Sequence, residues 1–76
     1  MRLGSVVKNP YVNKYYGENF NPLYLSMVIH IGSEYTTCLR YDGKLSKYFT
    51  RDIRQWKVVD NIAFTKMILD YYRKED

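Results

Sequence analysis

One cysteine, one histidine, two prolines and four glycines in 76 residues leave this chain without most devices that stabilise small domains. With Cys38 alone no intramolecular disulfide can form, and one cysteine with one histidine cannot complete a structural zinc site. No glycine-rich phosphate cradle and none of the usual hydrolase motifs is present. No apolar run approaches the roughly 20 residues of a membrane span, and no charged-then-apolar leader opens the sequence. These absences point to the cytoplasm, a reducing compartment that suits an unpaired cysteine. There is room for one domain, residues 1–76, and a chain of this size buries only about 60% of its unfolded surface.

The same scarcity argues against catalysis. His30 is the only imidazole base, and it falls inside an alternating strand pattern where a partly covered structural histidine is expected. Cys38 would need a base and an electropositive pocket to become a nucleophile. The two fall on adjacent strands of one hairpin, yet no third residue is evident to orient them. The expectation is a non-enzyme with no cofactor and no metal.

What the chain does have is positive charge and tyrosine. Its net charge is +4, with nine Lys/Arg against four Asp/Glu in residues 1–57 and three against four in 58–76. Arg40, Lys44, Lys47, Arg51, Arg54 and Lys57 fall within eighteen positions, opposed there only by Asp42 and Asp52. Such a run favours a polyanion or an acidic protein surface, although lysines and arginines also simply solvate strands and turns. Nine tyrosines suit half-buried strands, where the ring packs and the hydroxyl reaches water, and equally suit base stacking.

The stretch 23–60 organises the chain. Leu3–Lys8 reads as a first strand ended by Asn9-Pro10, because proline has no N–H for a ladder. Residues 9–22 lack periodicity and read as a long aromatic loop, packed over an open end of the sheet or presented to a partner. In Leu23–Ile31, Leu25, Met27, Ile29 and Ile31 alternate with Tyr24, Ser26, Val28 and His30. Both sets are largely apolar, as in a central, strongly bent strand with one face in the core and the other partly covered. Gly32-Ser33-Glu34 marks a turn into Tyr35–Tyr41, and Asp42-Gly43 marks a tight hairpin turn into Leu45–Thr50. Residues 50–55 read as a 3₁₀-type turn anchored by Ile53, followed by a last strand at Trp56–Val59. Asp60 or Asn61 can cap a helix over Ile62–Lys74, with Phe64, Met67, Ile68, Tyr71 and Tyr72 on one apolar face and Arg73 and Lys74 at its end. That face either docks on the sheet or serves dimerisation or a partner.

This order predicts a mainly β fold: a small five-stranded SH3-like barrel over 3–59 with a C-terminal α-helix over 60–75. The residue pattern resembles SH3-like and KOW-type mini-domains common among short accessory proteins of tailed phages. The likeness lies in Leu3-Gly4-Ser5-Val6-Val7, Met27-Val28-Ile29-His30-Ile31-Gly32, Asp42-Gly43, and Arg51-Asp52-Ile53 leading into Trp56-Lys57-Val58-Val59. The first loop is longer and more aromatic than that pattern, and the helix is an addition. The resemblance implies binding, to RNA, ribosomal components, proline-rich peptides or other proteins, and a phage-encoded chain would act in the host cytoplasm.

Two partner classes follow. Single-stranded RNA or another polyanion would meet Arg40, Lys44, Lys47, Arg51, Arg54 and Lys57, with Lys14 beside Tyr11, Tyr15, Tyr16 and Tyr48 as stacking faces. An acidic host protein, such as an enzyme or a defence toxin, would meet the same residues as interface anchors. A structural role, with homo-oligomerisation through the C-terminal helix, is the third reading.

Overall fold

The computed structural model describes residues 1–73, with side chains throughout except at Ala63 and at 70–73. In chain order the elements are β1 (Val6–Lys8), β2 (Tyr15–Tyr16), β3 (Asn19–Phe20), β4 (Leu25–Ile31), β5 (Tyr35–Arg40), β6 (Leu45–Phe49), α1 (Thr50–Ile53), β7 (Lys57–Val59) and α2 (Asn61–Arg73). Five strands form one antiparallel sheet in the order β6-β5-β4-β1-β7, and β2 with β3 forms a separate two-stranded hairpin. The protein is therefore mainly β, built on a five-stranded antiparallel sheet.

The two adjacent valines of β1 show how so short a chain makes a core. Strand side chains alternate between faces, so Val6 and Val7 enter different clusters. Val7 packs with Val28, Cys38, Ile53 and Trp56, against partly buried Ile31 and Tyr48. Val6 packs with Leu25 and Phe64, beside Phe20, Tyr24, Met27, Tyr41, Val59, Met67 and Ile68. One face of the sheet is thus closed by α1 and Trp56, the other by α2 and the segment after β3. The expected apolar face of the helix docks through Phe64, Met67 and Ile68. The side chains of Tyr71, Tyr72 and Arg73, and all of Lys74, lie outside the described residues.

Local signals settle most connections. Ile53 is fully buried beneath α1, a single helical turn of α rather than 3₁₀ type. Thr50 Oγ1 donates to the Gly32 carbonyl (2.7 Å), so its one proton is used and Thr36 Oγ1 must donate to Thr50 Oγ1 (2.9 Å). Gly32 itself has no room for a side chain, since a Cβ there would lie 2.5 Å from the Tyr35 carbonyl oxygen. At the Asp42-Gly43 turn only Gly43 takes positive φ (82°), while the Asp42 carboxylate accepts from the Lys44 N–H (3.1 Å) and pairs with Arg40. Asp60 Oδ1 accepts from the Ile62 N–H (2.9 Å) and caps α2.

Four expectations are corrected. The first strand begins at Val6, not Leu3, because Gly4 turns the chain at φ 84° and Leu3 stays exposed. Residues 9–22 are not an unstructured loop, since they hold the β2–β3 hairpin. Leu25, Met27, Ile29 and Ile31 do not share one face. The β4–β5 register steps from Val28↔Cys38 to His30↔Thr37, leaving Ile29 as an extra residue, and a bulge of one residue inverts the alternation beyond it. Ile31 thereby joins Val28 in the core. His30, expected to be partly covered, is exposed for the same reason.

Replacing Phe64 with alanine should cost about 3–5 kcal/mol, enough to unfold so small a domain. Ile62→Ala, at a side chain 74% exposed, should stay within about 0.5 kcal/mol of the parent. Urea midpoints test the contrast, and equal effects would mean that the helix is not docked through Phe64.

Candidate functional site

The most distinctive chemistry lies where β1 meets β7. Their register sets Val6 opposite Val59, Val7 opposite Val58, and Lys8 opposite Lys57. The Asn9 N–H bonds the Tyr24 carbonyl and the Val28 N–H bonds the Ser5 carbonyl (both 2.8 Å). Odd residues of β1 are thereby committed to β4, and Val6 and Lys8 turn their backbone groups to β7. Lys8 and Lys57 form a hydrogen-bonded pair, with Cα atoms about 5.5 Å apart and side chains on one face. One step along that face, the Val6–Val59 pair belongs to the cluster capped by α2. Like charges directly opposite destabilise a sheet, so this pair carries a cost in the free protein.

Beside the pair is a cleft of about 570 Å³, walled by Lys8, Lys14 and Lys57, by Tyr24 and Trp56, and by Asn9, Asn13 and Gln55 among others. No carboxylate lines it among the described residues. Two of its ammonium groups rest near aromatic rings, Lys8 Nζ 5.4 Å from the Tyr24 centroid and Lys14 Nζ 5.6 Å from that of Tyr15. Such contacts hold a cation without neutralising it. The cleft therefore brings three lysines together with amide-bearing and aromatic residues.

Trp56 and Asn9 also border a second, smaller groove of about 250 Å³, which runs past Tyr11, Tyr35, Lys47, Tyr48 and Phe49 to Asp52. Tyr11 is 81% exposed and meets Trp56 edge-on at 6.4 Å. Tyr48 also meets Trp56 edge-on, at 4.7 Å. The two hollows thus share one buried indole.

The residues expected to bind are divided among several places. Lys14 and Lys57 line the cleft, while Tyr11, Lys47 and Tyr48 line the groove. Tyr48 is half-buried against Trp56, so its ring is not an open stacking face. Tyr15 and Tyr16 are exposed on the β2–β3 hairpin, Tyr15 packing edge-on to Phe20 at 6.0 Å. Arg40 is engaged by Asp42 and half-buried, which removes it from an open patch. Lys44 is exposed at the Asp42-Gly43 turn, and Arg51 lies over the Phe49 ring at 5.5 Å. Arg54, exposed, follows α1 and lines neither hollow. Sequence reasoning missed Lys8, Tyr24 and Trp56. Lys8 closes one strand and Lys57 opens another, but only the β1–β7 pairing reveals that they are neighbours.

Cys38 has no reactive setting, because burial pushes its thiol up to about 11. His30 is exposed and on the opposite side of the bulge from the cysteine's partner Val28. No described helix is long and apolar enough to cross a membrane. Comparison with family models, curated proteins and solved structures finds no match to the chain.

Two outcomes follow. Lys57→Gln should raise the stability of the free protein by roughly 0.2–1 kcal/mol at low salt, fading near about 1 M salt as repulsion is screened. An unchanged urea midpoint would show that the pair is not strained. The Cys38 thiol should resist alkylation until the protein unfolds. The unfolded thiol releases its proton at 9.0 and the folded one near about 11. Between those values the unfolded chain binds fewer protons, so this contribution is full below 9.0 and is lost as pH rises towards about 11. Rapid labelling of native protein at neutral pH would contradict the burial.

Proposed function

We propose that this chain is a non-enzymatic nucleic-acid-binding module whose ligand is single-stranded RNA, held by its phosphates in the cleft of Lys8, Lys14 and Lys57. The observation that carries this reading is the Lys8↔Lys57 pair, like charges opposed on adjacent strands in a cleft without a carboxylate. A phosphate between them turns a repulsion into two charge-assisted hydrogen bonds. Exposed Tyr11, Tyr15 and Tyr16 supply flat faces for unpaired bases, and a duplex, whose bases are already stacked, would leave them unused.

The finer fold reading belongs to the same proposal. The sheet order β6-β5-β4-β1-β7, the long first connection and the helical turn before the last strand support an SH3-like barrel. The likeness to short accessory proteins of tailed phages, acting on a host nucleic-acid-processing or defence system, rests on the residue pattern alone. Fold likeness does not carry function, and the cleft bears that weight here.

The test is a titration of nuclease-treated protein against labelled oligouridylate at two salt concentrations. Each of Lys8→Gln, Lys14→Gln and Lys57→Gln should weaken binding and flatten the dependence of log K on log salt by about 0.7. Lys66→Gln, on the exposed side of α2, should do neither. Undiminished affinity and slope in the triple lysine variant would sink the reading.

A further inference from the structure

A different part of the sheet carries a second binding surface. We propose that the open edge of β6 takes an extended acidic segment of a partner protein as an added strand. β6 is the last strand of the sheet, and among the described residues it pairs only with β5. The phase of that pairing is set by two bonds, Thr50 N–H to Glu34 carbonyl and Arg40 N–H to Lys44 carbonyl, both 2.9 Å. With Tyr35 opposite Phe49 and Leu39 opposite Leu45, positions 44, 46, 48 and 50 bond towards β5. Leu45, Lys47 and Phe49 therefore turn their N–H and C=O groups outwards, an alternating row of donors and acceptors without a strand to meet it.

The side chains on this edge are also those of a contact surface. Leu45 is 61% exposed and Phe49 42%, and Tyr35, 45% exposed, stacks on Phe49 at 5.1 Å. An exposed edge of this kind is a template for pairing with another chain. Alongside it runs the groove between Tyr48 and Tyr11, whose 250 Å³ suits a side chain or two. The Tyr48 hydroxyl is buried without a hydrogen-bond partner. An unpaired buried hydroxyl is costly, and an acceptor that reached it would relieve that cost.

Charge and hydrogen-bond chemistry select the occupant. Lys44, Lys47 and Arg51 lie on or beside β6, and the acidic neighbours are Asp42, which pairs with Arg40 and accepts from the Lys44 N–H, Glu34 beside Arg51, and Asp52 at the far wall of the groove. β6 itself contains no carboxylate, so a carboxylate across from Lys47 forms the favourable cross-strand pair. A second copy of this chain, paired antiparallel about the strand centre, sets Lys47 against Lys47. RNA phosphates accept hydrogen bonds and would leave the three outward carbonyls unmatched, whereas a peptide backbone meets both halves of the row.

The probe is a blocked seven-residue peptide of alternating valine and glutamate, read by amide hydrogen exchange in NMR. At about 1 mM peptide, the reach of a weak complex, exchange at Leu45, Lys47 and Phe49 should slow about tenfold or more. Ser46 and Tyr48, already bonded to β5, should not change. Lys47→Glu should abolish the effect, and so should Leu45→Pro, which removes an outward N–H and leaves the β5 ladder intact. Slowing without alternation, no slowing at all, the same pattern with oligouridylate, or peptide-free dimerisation through β6 would each overturn the inference. The cleft reading is scored separately, on the amides around Lys8, Lys14 and Lys57 and on RNA affinity in the Lys47→Glu variant, so either can fail without the other.

Discussion

The structure depends on β4 being bonded along both of its edges while both of its faces are covered. A chain of 76 residues cannot bury enough surface beneath a one-sided sheet. Here the first half of β4 is held by β1 on one side and β5 on the other, and Leu25 and Val28 lie in different clusters. A helix closes each face, the single turn α1 through Ile53 and α2 through Phe64. Beyond Val28 only β5 accompanies β4, and the bulge at Ile29 lets the strand bend there while keeping Ile31 in the core. The bulge is the device that keeps Val28 and Ile31, three residues apart on one continuous strand, in the same cluster.

What could be read from the sequence was what short-range chemistry determines. Asp42-Gly43 announced its turn, Ile53 its anchor role and Asp60 its cap, because each rests on residues a few positions apart. The strands from Leu25 to Val59 were legible from alternation to within a residue or two. The bulge was not, because Met27-Val28-Ile29-His30-Ile31 satisfies either phase, and only pairing with β5 decides between them. The β2–β3 hairpin escaped notice because two-residue strands have no period to detect. The Lys8–Lys57 cleft escaped for a further reason: its components are 49 positions apart and become neighbours only through the order of strands. Charge counting along the chain favoured the Arg40–Lys57 run, of which Arg40 proves to be spoken for by Asp42.

The features that weaken this fold lie at the two edges of the sheet, the lysine pair at β1–β7 and the open strand at β6. Lys8 repels Lys57, the Tyr48 hydroxyl is buried unpaired, and β6 exposes Leu45 and Phe49 beside unbonded backbone. Each has an inexpensive remedy in sequence space: glutamine for a lysine, phenylalanine for the tyrosine, a charge in place of Leu45. A fold short of core is where such remedies would matter most, so stability alone does not account for these residues. The proposed ligands would each relieve one of them: an anion the lysine pair, a strand the open edge. Trp56 ties them together. It is buried in the core with Val7, Val28, Cys38 and Ile53, yet it lines both the basic cleft and the aromatic groove. A ligand bound as proposed in either hollow would therefore rest beside a core residue, and would lose little binding energy in ordering a mobile surface.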